Sequence, residues 1–150
     1  LGWLARFMKR VPVFPIPGNG RFMRQPLYVG DFAQIIVQCL TRRITGGPHN
    51  ISGIERVDYV DIIRTIRDRV HARTLLLHIP VPLFAALLKG WALFDRNPPF
   101  TAYQFTALIS GVEIEVIDCP AIFGVTPTPF AQAIDETFND PRYSAIELAF

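Results

Sequence analysis

The chain has 150 residues, of which 50% are hydrophobic, and its formal net charge is only +2. This length allows one compact domain with a core of its own, while the scattered arginines do not form the basic surface typical of proteins that bind nucleic acid. The two cysteines, Cys39 and Cys119, are too few for a disulfide scaffold and lack metal-ligand spacing, which favours a cytoplasmic protein with reduced thiols.

A helix is predicted over the first ten residues, because Leu4, Phe7 and Met8 fall on one face at helical spacing. This helix begins with neither an initiator Met nor a capping residue. We therefore expect that the sequence starts inside or just before a helix of a longer protein. A natural start with this composition is the alternative.

The next segment is predicted to be extended and then to turn. Three prolines in residues 11–17 are incompatible with a central strand, so this segment is expected at a sheet edge or along a groove. Gly18 and Gly20 can adopt the positive φ angles of a tight turn. A short strand is predicted at residues 27–29.

Two amphipathic helices are predicted next. Asp31 is expected to cap the first helix, which ends near Arg42 or Arg43, and Asp58 is expected to cap the second. A brief strand is predicted between them at residues 49–53. The apolar stripes of the two helices comprise Phe32, Ile35, Ile36, Cys39 and Leu40 in the first, and Tyr59, Ile62, Ile63, Ile66 and Val70 in the second.

The most apolar part of the chain follows. Residues 74–79 are predicted to form a strand, in which His78 is interpreted as a histidine at the edge of the core. Pro80 and Pro82 then lead into a third helix, and prolines at the centre of this region argue against a membrane-spanning helix. This third helix is apolar on nearly all sides, so either this domain or a partner must cover it.

The remaining pattern is again helical. It predicts a loop at 95–99, a helix at 101–110 capped by Thr101, a short strand at 113–117, a helical turn at 118–123 ending in Gly124, and a last helix capped by Thr128. Helices with a few short strands predict an α/β or α+β fold. The strands are too few and too short for a free-standing doubly wound sheet.

Five segments, taken in order, resemble the NAD(P)-dependent epimerase/dehydratase family, which comprises the extended and atypical short-chain dehydrogenase/reductases. They are Pro-Ile-Pro-Gly-Asn-Gly at 15–20, Gln-Pro-Leu-Tyr-Val-Gly-Asp-Phe-Ala at 25–33, Asn-Ile-Ser-Gly with Glu55 at 50–55, Leu-His-Ile-Pro at 77–80, and Phe-Gly-Val-Thr-Pro-Thr-Pro-Phe at 123–130. The resemblance extends from the first helix to Phe138. It implies that residues 1–150 form one substrate-binding region, the C-terminal part of a Rossmann-type reductase.

The catalytic and cofactor-binding residues of that family are not found in this sequence. In the family a Tyr-x-x-x-Lys pair transfers protons, but none of Tyr28, Tyr59, Tyr103 and Tyr143 is followed four residues later by Lys. The turn at residues 18–20 lacks the third glycine of the dinucleotide fingerprint. We therefore expect NAD(P) to bind to a separate Rossmann domain of the parent protein and not to this chain.

Candidate substrate-binding residues follow from the resemblance together with residue chemistry. They are Phe14, Ile16, Arg21, Arg24, Gln25, Tyr28 and Arg96. Arginines suit the diphosphate of a nucleotide sugar because the planar guanidinium binds two oxygens at once. The alternatives are solvated surface arginines, an exposed glutamine and a core-edge strand around Phe14. Asp31 could also contact substrate, although capping already explains it.

The sequence is compatible with two functions. The resemblance implies the substrate-binding portion of a nucleotide-sugar epimerase/dehydratase-like or reductase-like protein, inactive in isolation and dependent on its own Rossmann domain. The alternative is a non-catalytic module, related to atypical short-chain dehydrogenases, that assembles through exposed apolar faces. Such faces would make the isolated chain a homodimer.

Overall fold

The computed structural model describes residues 1–44, 47–94, 102–110 and 115–139. Its elements are α1 (Gly2–Arg10), β1 (Val13–Pro17), β2 (Met23–Arg24), α2 (Val29–Arg42), β3 (Val57–Asp58), α3 (Tyr59–Arg69), β4 (Leu75–Ile79), α4 (Val81–Phe94), α5 (Ala102–Ile109), α6 (Cys119–Phe123) and α7 (Phe130–Asn139). The predicted helix-rich α/β class with a few short strands is confirmed.

The chain forms two compact units. Unit 1 comprises Leu1–Met23 and Asp58–Val112, and unit 2 comprises Arg24–Val57 and Glu113–Phe150. The chain passes from one unit to the other within β2 and again within β3, and these two short strands pair with each other.

Unit 1 is built around a parallel pair of strands. β1 and β4 run in the same direction in a register that places Pro17 beside Ile79 at their carboxyl ends. β1 buries Phe14 and Ile16, so the extended segment predicted there is confirmed as a strand. The core also receives Ile62, Ile63 and Ile66 from α3, which confirms the apolar stripe predicted for that helix.

A glycine turn follows β1 and packs tightly against α3. Gly18 and Gly20 have φ angles of 57° and 70°. A Cβ at Gly20 would lie 2.7 Å from Cβ of Val60 and 2.8 Å from Cγ2 of Ile16. The Gly20 carbonyl accepts from the Val60 amide at 3.0 Å, and the Gly20 amide donates to the Pro17 carbonyl at 3.0 Å. Glycine is therefore required at position 20 by close approach as well as by backbone conformation.

Unit 2 packs α2 against α6 around a small apolar core. Its buried members are Ile35, Cys119, Phe123 and Val125. A second close approach occurs at Gly53, where a Cβ would lie 1.9 Å from the Pro26 carbonyl oxygen.

Two predicted strands, at 27–29 and 49–53, are wrong. Tyr28 does have an extended backbone, but it is the residue before α2, which already begins at Val29. Residues 50–53 lack a ladder of hydrogen bonds and are not a strand, although the Gly53 amide donates to the Gln25 carbonyl at 3.3 Å. Extended backbone without a paired neighbour is not a strand.

The predicted helix caps are only partly correct. The helical turn predicted to end at Gly124 is confirmed as α6. It begins after Asp118, whose side chain accepts from the Ala121 amide at 2.9 Å, and Gly124 ends it in the left-handed conformation. Asp58 precedes α3 but makes no capping hydrogen bond. Asp31 lies inside the first turn of α2 and does not cap it.

Thr128 was expected to cap the last helix, but α7 begins two residues later, at Phe130. The Thr128 amide and hydroxyl instead both donate to the Asp31 carboxylate. The Phe130 amide at the start of α7 donates to the Glu55 carboxylate at 2.9 Å. Glu55 therefore stabilises the start of α7 from a distant part of the sequence.

The sequence predicts that the apolar side chains of α4 are covered by this domain or by a partner. In the described part of unit 1, several of these side chains are exposed to solvent. Leu83, Leu87 and Trp91 are 51%, 57% and 47% exposed. The predictions for residues 95–99 and for Thr101 lie outside the described residues. Residues 115–117, the described part of the strand predicted at 113–117, are not a strand. Within the described segments, no helix has both the length and the apolar character that crossing a membrane requires.

Candidate functional site

A cleft in unit 1 lies at the carboxyl ends of β1 and β4. It has a volume of about 570 Å³, which is within the range of small-molecule sites. Ligands of open α/β sheets bind outside the carboxyl ends of parallel strands. The described residues that line this strand-end cleft are Gly18, Asn19, Arg21, Asp58, Val60, Asp61, Arg64 and His78. They come from the glycine turn, the start of α3 and the end of β4.

Charges of both signs face the strand-end cleft. Arg64 is engaged by Asp61 through an ion pair of 2.9 Å along α3. Arg21 and Asp58 make no ion pair and no side-chain hydrogen bond with any described residue. The turn itself is held by the Asn19 side chain, which accepts from the Arg21 amide at 3.0 Å. One cation and one carboxylate of the cleft are thus available to a ligand.

His78 contributes a ring nitrogen of defined character. Its Nδ1 lies 3.0 Å from the Gly18 carbonyl oxygen. A carbonyl can only accept, so Nδ1 carries the proton and the neutral ring exposes Nε2 as an acceptor. The side chain is exposed, so the interpretation of His78 as part of the core edge is wrong. The two-stranded sheet leaves side chains on both sides of β4 exposed, since Leu75 and Leu77 on the opposite side from His78 are exposed as well.

A buried polar cluster in unit 2 has a structural character instead. Asp31 is 3% exposed, and its two carboxylate oxygens accept from the Thr128 amide and hydroxyl, each at 2.7 Å. Burial, with smaller effects of Asp118 and Asp31, raises the pKa of the nearby Cys119 thiol. A buried thiol with a raised pKa is a poor nucleophile. This cluster ties the segment before α7 to α2.

The structure separates the candidate substrate-binding residues. Phe14 and Ile16 are core residues of unit 1, and Arg21 lines the strand-end cleft. Arg24, Gln25 and Tyr28 are half-buried residues of unit 2. Arg96 lies outside the described residues. Their roles in substrate binding stay predictions.

The half-buried residues of unit 2 each have a local environment of their own. Partial burial lowers the pKa of the Arg24 guanidinium. The Tyr28 ring lies directly over Gly30, where a Cβ would come within 2.5 Å of Cε1. Glycine at position 30 therefore leaves room for the ring.

Sequence reasoning did not predict the cleft roles of Asp58, Arg64 and His78. His78 reaches the glycine turn because β4 pairs in parallel with β1, and that pairing joins segments 60 residues apart. The helical periodicity of α3 placed Arg64 correctly on its outer face. It could not identify which loop faces that side of the helix.

The glycine turn lacks the strand–turn–helix order of the dinucleotide fingerprint, because it leads from β1 into β2. In addition, the described residues contain no group of three His, Cys, Asp or Glu side chains placed to bind a metal ion.

Comparison with known proteins gives a local sequence similarity and a similar fold. No family model matches the chain. It is 33% identical to dTDP-glucose 4,6-dehydratase of Escherichia coli over 54 residues, which are 36% of this chain and 15% of that enzyme. The crystal structure of gox2253 has a similar fold, with a TM-score of 0.58 and 15% identity over 95% of this chain. The chain spans 43% of that protein's length. Part of the chain is thus related to an epimerase/dehydratase-type enzyme.

Proposed function

We propose that this chain is the substrate-binding portion of an NAD(P)-dependent nucleotide-sugar epimerase/dehydratase-like or reductase-like protein and is inactive in isolation. The observation that carries the proposal is the strand-end cleft, in which Arg21 is available at the carboxyl ends of two parallel strands. The 54-residue similarity to dTDP-glucose 4,6-dehydratase supports the same substrate class.

The chemistry of the cleft agrees with a binding role. The Arg21 guanidinium, which pairs with no described residue, can form two charge-assisted hydrogen bonds to a phosphate group. The Tyr-Lys pair is missing from the sequence, and the glycine turn does not lead into a helix. We therefore assign no redox step to this chain and place the NAD(P) site in another part of the parent protein.

Calorimetric titration with dTDP-glucose tests this proposal. We expect saturable binding to the wild-type chain and a loss of about tenfold or more in affinity in Arg21→Gln, because one charge-assisted pair is removed. NADH should not bind. Arg73→Gln is the matched control, since Arg73 is an exposed arginine just before β4, at the strand end opposite the cleft.

Two results would contradict the proposal. One is the absence of any heat of binding with dTDP-glucose at millimolar concentration. The other is an equal loss of affinity in Arg21→Gln and Arg73→Gln, which would show a nonspecific effect of charge.

A second candidate function is a non-catalytic assembly module. The observation that favours it is an exposed apolar side on α2 in unit 2. Val29, Phe32, Ile36, Val37 and Leu40 are all between 44% and 75% exposed. Monomeric proteins rarely expose contiguous apolar patches of more than a few hundred Å². On this reading the chain forms a homodimer through α2.

A further inference from the structure

We infer that the strand-end cleft binds a phosphorylated polyol, such as a sugar monophosphate, with the phosphate on Arg21 and the hydroxyl groups on Asp58. This inference rests on the proposed function, because it assumes that the cleft is the substrate site. It goes further by assigning the two ends of the ligand and by excluding a nucleobase from this cleft.

The location of the phosphate follows from the pairing of charges. Of the two arginines in the cleft, Arg64 is already neutralised by Asp61 at 2.9 Å. Arg21 makes no ion pair with any described residue. A phosphate is therefore attracted most strongly to the Arg21 side, where no carboxylate of a described residue competes for the guanidinium.

The location of the hydroxyl groups follows from Asp58. This carboxylate precedes α3 but makes no capping hydrogen bond, and no described residue pairs with it. A phosphate near Asp58 would be repelled, whereas neutral hydroxyl groups can donate to both of its oxygens. The acceptor Nε2 of His78 offers a further partner for a hydroxyl group.

The lining also limits what else can bind. None of the described residues around the cleft is Phe, Tyr or Trp, and Val60 is the apolar side chain among them. Nucleobases are commonly held by stacking on aromatic side chains, each worth about 1–3 kcal/mol in single-stranded nucleic-acid sites. A polar ligand with charge at one end and hydroxyl groups at the other fits this lining better than a base does.

Calorimetry with four probes tests the inference: glucose 1-phosphate, inorganic phosphate, glucose and thymidine monophosphate. We expect glucose 1-phosphate to bind about tenfold or more tightly than each of the other three, because it alone combines a phosphate for Arg21 with several hydroxyl groups for Asp58 and carries no base. Glucose 1-phosphate binding no tighter than inorganic phosphate would overturn the inference.

Two variants separate the roles of the two residues. Arg21→Gln should weaken the binding of both glucose 1-phosphate and inorganic phosphate. Asp58→Asn should lower the affinity for glucose 1-phosphate by about tenfold. The affinity for inorganic phosphate should be unchanged or higher in this variant, since a repulsive charge is removed. Both substitutions should leave the fold intact, because Arg21 is exposed and Asn is as suitable as Asp before a helix. An equal loss for both probes in Asp58→Asn would overturn the assignment of that residue.

The nucleotide-sugar titration distinguishes this inference from the proposed function. If dTDP-glucose binds through Arg21 but glucose 1-phosphate does not bind, the proposed function stands and the inference is wrong. If glucose 1-phosphate binds with the expected pattern and dTDP-glucose does not bind, the cleft is a site for a sugar monophosphate. In that case the part of the proposed function that names nucleotide sugars as substrates is wrong. If neither binds, both fail.

Discussion

The phenol of Tyr59 is largely buried at the start of α3, and burial raises its pKa from 10.0 to about 12. Below pH 10 the phenol is protonated in both the folded and the unfolded chain, so its contribution to stability is fully present. Between pH 10 and 12 the unfolded chain loses the proton while the folded chain retains it. Stability must therefore fall with rising pH in this window.

Tyr59→Phe should remove that part of the alkaline loss of stability. The raised pKa corresponds to a loss on the order of 3 kcal/mol at most. We expect the free energy of unfolding, measured by urea denaturation from pH 9 to 12, to fall less steeply in the variant than in the wild type. The control is Tyr103→Phe on α5, since Tyr103 is 85% exposed. An unchanged slope in Tyr59→Phe would contradict the prediction.

Asp31 shows why residue-level patterns mislead even when the helix is predicted correctly. An aspartate at the start of an apolar periodic segment is typical of a capping residue. In the structure it accepts two hydrogen bonds from Thr128, which is 97 residues away in sequence. No local pattern carries that information, because the partner is brought close only by the packing of unit 2.

Among the elements, α6 has the clearest local signal for its boundaries. The Asp118 side chain accepts from the Ala121 amide at 2.9 Å, and Gly124 closes the helix with a φ of 69°. Both ends were predictable because each depends on residues within one turn of the helix. α6 also carries Cys119 and Phe123 into the core of unit 2, so its cap has an effect on the whole unit.

Asp118→Ala should destabilise the fold by about 1 kcal/mol, because the Ala121 amide loses its partner. Asp118→Asn retains a side-chain acceptor and should cost less than about half of that value. Urea denaturation of the two variants and the wild type gives the comparison. Equal destabilisation by Ala and Asn would show that the carboxylate charge, and not the hydrogen bond, stabilises α6.

The elements that sequence analysis missed are the ones that depend on distant pairing. β2 and β3 have two residues each and exist because they pair with each other. Such short strands carry no periodicity that could be recognised. β4 was predicted correctly from its apolar run, but its parallel partner β1 could not be identified. The strand-end cleft, which depends on that pairing, was therefore out of reach, although Arg21 was among the candidate residues.

For the whole molecule, the exposed apolar residues of α2 have a definite arrangement. The core side of this helix carries Ile35, four residues after buried Asp31. Ile36 and Leu40 lie at the same four-residue spacing on another side, where they are 45% and 75% exposed. The apolar stripe predicted for α2 is therefore divided between a core side and an exposed side. Cys39 and Ile35 contact the core, and Phe32, Ile36 and Leu40 do not.

If α2 mediates assembly, the isolated chain should elute as a dimer in size-exclusion chromatography with light scattering at micromolar concentration. Leu40→Lys should convert it to a monomer. In a symmetric dimer each substitution acts twice, and the loss of two buried leucines with the insertion of two charges should raise the dissociation constant by about 100-fold or more. Leu75→Lys is the control, because Leu75 is 70% exposed on β4 in unit 1.

The outcome of that experiment separates the two candidate functions by a physical criterion. A dimer that Leu40→Lys dissociates and Leu75→Lys does not would assign α2 to a specific interface, since equally exposed leucines would otherwise behave alike. Loss of the dimer in both variants would indicate nonspecific association of apolar surface. If the wild-type chain is a monomer, the assembly function is wrong. The strand-end cleft is then the functional feature of the chain, because ligand binding there depends on residues of unit 1 and not on α2.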